Sequence, residues 1–333
     1  MSEKTFILPD QMDKQDHSPR RVGIEIEMTG IDLAMIACQC NIAYGGRIRE
    51  ISPYEFFIEH TEIGDIQVEL DFRYLKRIGR DKYGSDVSQQ QYSELEHYAS
   101  DALAALSKNI VPCELVCPPL SMTRLEELNV IVQRLRQHNA KGTGYSILYA
   151  FGVHLNPELP DLNETTILNY LKSFLCLQDW LIESEGVSLT RKLSPFIDKF
   201  SAKYIKRVLD PDYKPELPQL IDDYLYFNPT RNRTLDMLPL FAYLDEDRVR
   251  AAIGDEKLNK RPTLHYRLPN SDIDNPHWGL WQCWNRWMQV EYLANDADRL
   301  LSVCQHYMKT HQQFFQDLLT PWKDQVRQWL IHR

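Results

Sequence analysis

Glu25 and Glu27 stand two residues apart in Val22 to Thr29 (VGIEIEMT), between Val22, Ile24, Ile26 and Met28. In an extended strand successive side chains point to opposite faces, so the two acids share one face and the four apolar residues the other. Their α-carbons then lie about 6.5–7 Å apart, a gap that suits Mg²⁺ or Mn²⁺ held by carboxylates together with substrate phosphates. Read by itself, the pair is equally a solvent-facing pair on a half-exposed sheet.

Four further segments repeat the pattern. Ile66 to Asp71 (IQVELD) sets Glu69 and Asp71 opposite Ile66, Val68 and Leu70, and Glu69 is the better ligand candidate because Asp71 closes the strand beside Arg73. Cys113 to Cys117 (CELVC) holds one acid, Glu114, in an apolar run closed by Pro118 and Pro119. A buried carboxylate there needs a partner, a raised pKa or a metal. Phe151 to Asn156 (FGVHLN) puts Gly152, His154 and Asn156 on one face; His154 reads as a metal ligand, a phosphate or substrate contact, or a hydrogen-bonded core histidine. Thr263 to Leu268 (TLHYRL) joins His265 and Arg267, and an arginine on such a face is either a salt-bridge partner or a phosphate clamp.

Two arginines, Arg231 and Arg233, sit in the loop NPTRNR before a helix-like stretch from Thr234 to Leu244. They read as a phosphate grip or as caps on carbonyls. Lys141 to Gly144 (KGTG) is glycine-rich but precedes a strand, the wrong order for a phosphate loop. Cys113 and Cys117 read as buried hydrophobes, with a cysteine–histidine hydrolase built on His154 as the alternative. Trp278, Trp281, Trp284 and Trp287 recur at nearly helical spacing and read as core packing.

The elements that must position these residues follow from their surroundings. Residues 1–19 read as a mobile polar leader, and residues 20–330 as a single domain. Helical patterns are expected at Ser93 to Leu106, at Ser121 to His138 with capping-box spacing between Thr123 and Glu126, and at about Asn163 to Gly186. The region from about 157 to 262 reads as a helical insertion, after which Thr263 to Leu268 returns to the same sheet. The fold class expected is α+β, with a largely antiparallel sheet, helices on one face and a helical C-terminal half.

Composition sets the outer bounds. With 333 residues, 43% hydrophobic and 26% charged, the chain can bury a large core and is not disordered throughout. A net charge of −9 argues against a nucleic-acid partner. Seven cysteines in a chain this size need no disulfide framework and read as reduced. No signal-peptide core and no run near the roughly 20 apolar residues of a membrane span occurs, so a cytoplasmic protein is expected.

The segments RVGIEIEMT (21–29), GDIQVELD (64–71), ELVCPPL (114–120), GVHLN (152–156), NPTRNRTLD (228–236) and HYRLPN (265–270) resemble the amidoligase family, whose relatives in fold are glutamine synthetase and glutamate cysteine ligase. The ExE strand and ELVCPPL are the most specific of them. Where family members often carry a second histidine, this chain has Asn156.

The resemblance implies a curved, glutamine synthetase-like antiparallel sheet and a carboxylate–amine ligase that uses ATP with two or more divalent ions, Mg²⁺ or Mn²⁺, on its inner face. ATP would phosphorylate a substrate carboxylate, and an amine would displace phosphate to form the amide. On that reading Glu25, Glu27, Glu69 and Glu114 hold metal, with His154 at the metal or phosphate. Arg267, with Arg231 or Arg233, stabilises the transferring phosphoryl group, and His265 and Asn156 lie at the nucleotide. The substrates would be small-molecule or peptide carboxylates and amines, with a glutamine-amidotransferase-like peptidase as a pathway partner. The alternatives are a metal-dependent phosphotransferase of the guanidino- or carboxylate-kinase kind, and a non-catalytic scaffold on the same fold.

Overall fold

The computed structural model describes residues 4–71, 111–143, 152–187, 198–254, 258–311 and 321–331. Among them one open sheet of eight strands carries the fold, and every pair in it is antiparallel. In chain order the strands are β1 (Arg21–Met28), β2 (Arg47–Ser52), β3 (Glu55–Glu59), β4 (Ile66–Leu70), β5 (Cys113–Ser121), β6 (Val153–Pro157), β7 (Leu235–Asp236) and β8 (His265–Tyr266). Across the sheet they run β2-β3-β4-β5-β1-β6-β8-β7, so the ExE strand β1 lies between β5 and β6.

Ten helices accompany it among the described residues: α1 (Leu33–Tyr44), α2 (Asn129–Gln137), α3 (Glu164–Ser184), α4 (Ala202–Leu209), α5 (Leu217–Phe227), α6 (Leu238–Leu244), α7 (Glu246–Ile253), α8 (Leu280–Ala294), α9 (Ala297–Thr310) and α10 (Trp322–Gln325). Val22, Ile24, Ile26 and Met28 of β1, Cys113, Leu115 and Cys117 of β5, and Val153 and Leu155 of β6 are buried together in the core. Phe174 of α3 and Trp287 of α8 meet Tyr266 of β8 at ring-centroid distances of 5.9 and 5.2 Å. Trp284 and Trp287 are fully buried, as a core role for that tryptophan run requires. No helix among the described residues is long and apolar enough to cross a membrane.

Several boundaries differ from expectation for local reasons. The strand read over Thr263 to Leu268 contracts to His265–Tyr266, flanked by single backbone bonds from Leu264 N to Pro157 O and from Arg267 N to Thr234 O. It does return to the sheet, between β6 and β7. The helix read from Thr234 begins as β7, and Asp236 Oδ1 then accepts the amide of Leu238 as α6 starts. The stretch after β5 enters a 3₁₀ turn over Met122–Leu128 before α2. Strand β5 runs to Ser121, so Thr123 falls inside the first turn and caps nothing; it meets the Ser121 hydroxyl at 3.0 Å. Asn163 caps α3, its side chain accepting from Thr166 N, and Gly186 turns out of the helix region at φ 61°.

Within the segment expected as a mobile leader, Thr5 to Ile7 lie against α8. Trp284 Nε1 donates to Ile7 O at 2.6 Å, Ile7 N donates to Asn285 Oδ1 at 2.9 Å, and Phe6 is buried. The Gly142 position is explained by packing: an added Cβ would lie 1.8 Å from Ser271 O, the same carbonyl that accepts Thr143 N at 2.7 Å. The helix expected over Ser93 to Leu106, and Arg73, Gly144 and Phe151, lie outside the described residues.

Candidate active site

Register sorts the polar face of the sheet into two rows. In the first, Glu55 pairs with Glu69, Glu69 with Glu114, and Glu114 with Glu27, so four carboxylates cross β3, β4, β5 and β1 side by side. Like charges directly opposite each other on a sheet repel. At the outer end Gln67 Nε2 donates to both Glu55 Oε1 and Glu69 Oε2 at 2.9 Å. The inner end is drier: Glu27 and Glu114 are both buried.

The second row pairs Glu25 with His154 and Gly23 with Asn156 on β6. His154 Nδ1 stands 2.8 Å from Glu25 Oε2. A carboxylate can only accept, so Nδ1 carries the proton and donates. The other ring nitrogen, Nε2, then faces Glu27 Oε1 at 3.8 Å, while Nδ1 is 3.9 Å from Glu114 Oε1. Glu27 Oε2 accepts the amide of Gly152 at 2.7 Å, which fixes the carboxylate on the sheet face.

Glu25 is held from three sides. Besides His154, its Oε1 accepts from Asn156 Nδ2 and from Arg261 Nη2, each at 3.1 Å. Burial would raise its pKa, but the hydrogen bond from His154 and the nearby Arg261 guanidinium hold it well below the usual carboxylate range. His265 Nδ1 lies 2.7 Å from Arg261 Nη2 and 2.8 Å from Asn156 Oδ1, and its ring is 5.0 Å from that of His154. Burial pushes the His265 pKa well below the usual histidine value, so the ring is neutral there.

Two overlapping sets of three donors result: Glu25, His154 and His265, and Glu27, Glu114 and His154. Within each set the ligand atoms lie within 4.8 Å of one another, and all five residues are buried. Carboxylate oxygen with imidazole nitrogen is a donor set that fits a divalent ion of the Mn²⁺ kind more closely than the all-oxygen shell of Mg²⁺.

Of the residues singled out in the sequence, Glu25, Glu27, Glu114, His154, Asn156 and His265 come together. Glu69 sits one strand further along the acidic row, tied to Gln67. Arg267 Nη1 donates to Arg231 O at 2.6 Å, and Arg231 Nε reaches Asp236 Oδ2 at 3.2 Å, next to His265 in the register of β7 and β8. Burial raises the Asp236 pKa despite Arg231 and Arg267. Arg233 turns elsewhere, donating to Lys199 O at 2.8 Å with its guanidinium 5.8 Å over the Phe200 ring.

Arg261 was not legible as a site residue. It lies in a polar stretch before Pro262, and only the fold carries it to Glu25, 236 positions earlier. The cysteines take the opposite part. Cys113 and Cys117 have the strand parity of Leu115, away from Glu114, and burial pushes both thiols up to about 12. A cysteine–histidine pair with His154 is therefore not formed. A surface groove lined by Asp222, Leu225, Asp247 and Arg248 contains none of these residues.

A family model described as "putative amidoligase enzyme" matches residues 18–289, which contain both donor sets and every arginine discussed above. No curated protein and no solved structure matches the chain. The match spans most of the sequence and the whole sheet, and the chain belongs to this amidoligase family.

Proposed function

We propose that the chain is an ATP-dependent carboxylate–amine ligase, built on a glutamine synthetase-like core and working through an acyl phosphate. The observation that carries the reading is the pair of buried donor sets meeting at His154 on one face of the sheet. A divalent ion bound there would neutralise phosphate oxygens and orient the transferring group. Glu27, Glu114 and His154 are the residues that would hold it.

The neighbouring side chains have separate tasks. Glu25 accepts the hydrogen bond of His154 Nδ1 and so fixes the ring with Nε2 toward Glu27, the usual way a carboxylate orients a ligating histidine. Asn156 bridges Glu25 and His265 and holds that spacing. Arg267 and Arg231, linked to each other beside His265, would be the cations that meet phosphate. No activated serine or cysteine is needed, because phosphoryl transfer to a carboxylate is catalysed chiefly by positioning and electrostatics. The acid is a small-molecule or peptide carboxylate, and a glutamine-amidotransferase-like peptidase is the expected pathway partner.

The test is incubation with ATP, Mn²⁺ or Mg²⁺ and a panel of amino-acid and peptide carboxylates, with hydroxylamine as the trapping amine. Hydroxamate formed together with ADP, and lost in Glu27→Gln, supports the ligase. A phosphorylated acid that accumulates without transfer to any amine would point to a kinase, and no nucleotide turnover with any acid would leave a binding scaffold.

A further inference from the structure

The two donor sets cannot serve two ions in the same way. They share His154, and its two ring nitrogens have different neighbours: Nδ1 donates to Glu25, with Glu114 Oε1 at 3.9 Å, and Nε2 faces Glu27. A nitrogen that carries a proton toward a carboxylate is not a metal ligand. The Glu25 set has a second obstacle in Arg261. Its Nη2 sits 3.1 Å from Glu25 Oε1 and 2.7 Å from His265 Nδ1, in contact with the same carboxylate and imidazole that an ion would need. His265 Nδ1 is engaged in either protonation state, since it donates to Asn156 Oδ1 when protonated and accepts from Arg261 when bare.

Arg261 is well placed to stay. Its backbone amide donates to Pro239 O at 3.1 Å, at the first turn of α6, and its side chain is only 29% exposed. An arginine remains protonated at any pH of interest and, unlike a lysine, keeps its charge when partly buried.

We infer that Arg261 is a built-in cation that closes the Glu25–His154–His265 set, so that one divalent ion sits at Glu27, Glu114 and His154 Nε2. Three buried carboxylates, Glu25, Glu27 and Glu114, are then matched by one guanidinium and one divalent ion. Glu25 serves as the carboxylate that orients His154, and Arg261 is a positioning residue acting through Glu25 and His265. This inference rests on the metal-site reading above and adds to it the number of ions and the identity of the second cation.

The experiment counts bound Mn²⁺ alone, without nucleotide, from the electron paramagnetic resonance signal of the free ion. Four full-length chains are compared: wild type, Glu27→Gln, Arg261→Met and the double variant. Wild type should bind one Mn²⁺ tightly. Glu27→Gln should weaken that binding more than about tenfold, because Arg261 still closes the other set. The double variant should recover a tight ion at Glu25, His154 and His265, because without a carboxylate at position 27 the His154 proton can move to Nε2 and free Nδ1, and Arg261→Met should keep one.

Two tight ions in wild type would overturn the inference, as would Glu27→Gln binding like wild type, or a folded double variant that recovers nothing. Should the double variant fail to fold, the wild-type count and the Glu27→Gln titration still decide. No Mn²⁺ bound by wild type would defeat the metal-site reading itself, and this inference with it; a single ion insensitive to Glu27 would defeat only the inference.

Discussion

Glu27 on β1 and Glu114 on β5 stand directly opposite each other in the central strand pair, both buried, with Glu114 only 1% exposed. Two carboxylates in that relation repel unless a cation lies between them. The pair is therefore tense without metal and favourable with it.

The first expectation concerns this pair. Glu114→Gln keeps the side-chain volume and removes one charge, so in EDTA it should stabilise the protein by up to about 1 kcal/mol. With Mn²⁺ present the order should reverse, wild type gaining from the ion and the variant gaining little. Thermal unfolding with and without Mn²⁺ reads both; a variant less stable than wild type in EDTA would contradict the repulsion argument.

Acid should weaken the metal-free protein. The His265 pKa lies well below its unfolded value near 6.5 and that of Glu25 well below 4.5. In both cases the unfolded chain binds the proton first, so the stability these groups contribute is present at higher pH and is lost as pH falls. His265 acts from about pH 6.5 downward and Glu25 below about 4.5. Urea unfolding in EDTA at pH 7.5 and 5.5 should show a drop in wild type that is smaller in His265→Gln. An equal drop in both proteins would rule out His265 as its source.

A second buried pair secures the start of β1. Arg20 Nη2 donates to Glu291 Oε1 at 2.8 Å and Nη1 to Glu291 Oε2 at 3.0 Å, while Tyr170 and Trp287 donate to the same carboxylate. Arg20 is fully buried. Arg20→Met leaves Glu291 buried without its cation and should cost about 3–5 kcal/mol. Denaturant titration at neutral pH measures it, and a loss under about 1 kcal/mol would mean that the carboxylate finds relief elsewhere.

The arginines should separate by function. Arg233 is committed to the Lys199 carbonyl, so Arg233→Gln should lower the unfolding temperature yet leave the shift produced by ATP and Mn²⁺ unchanged. Arg267→Gln, next to His265, should reduce that shift. Thermal unfolding of the two variants with and without ATP and Mn²⁺ decides, and the opposite pattern would move the phosphate contact from Arg267 to Arg233.

The sides of the strands were legible because alternation is a local property. Val22, Ile24 and Ile26 must enter the core, so Glu25 and Glu27 must face away, whatever the neighbouring strands are. The same parity sorted Glu114 from Cys113 and Cys117, and His154 from Val153 and Leu155. Less was legible where that signal is short or absent. Arg47–Ser52 is a charged, largely exposed edge strand, and β7 and β8 are two residues each, too short for any period to emerge.

By itself the sequence determined which residues share a polar sheet face, and that this face is acidic with histidine among the acids. Tertiary structure alone decided the register that sets Glu27 against Glu114, the nitrogen of His154 that faces Glu27, and the arrival of Arg261 at Glu25. The physical reason is range. Side-chain direction is fixed within two residues of backbone, whereas register and the meeting of segments 236 positions apart depend on how α6, β7 and β8 pack against the rest of the sheet.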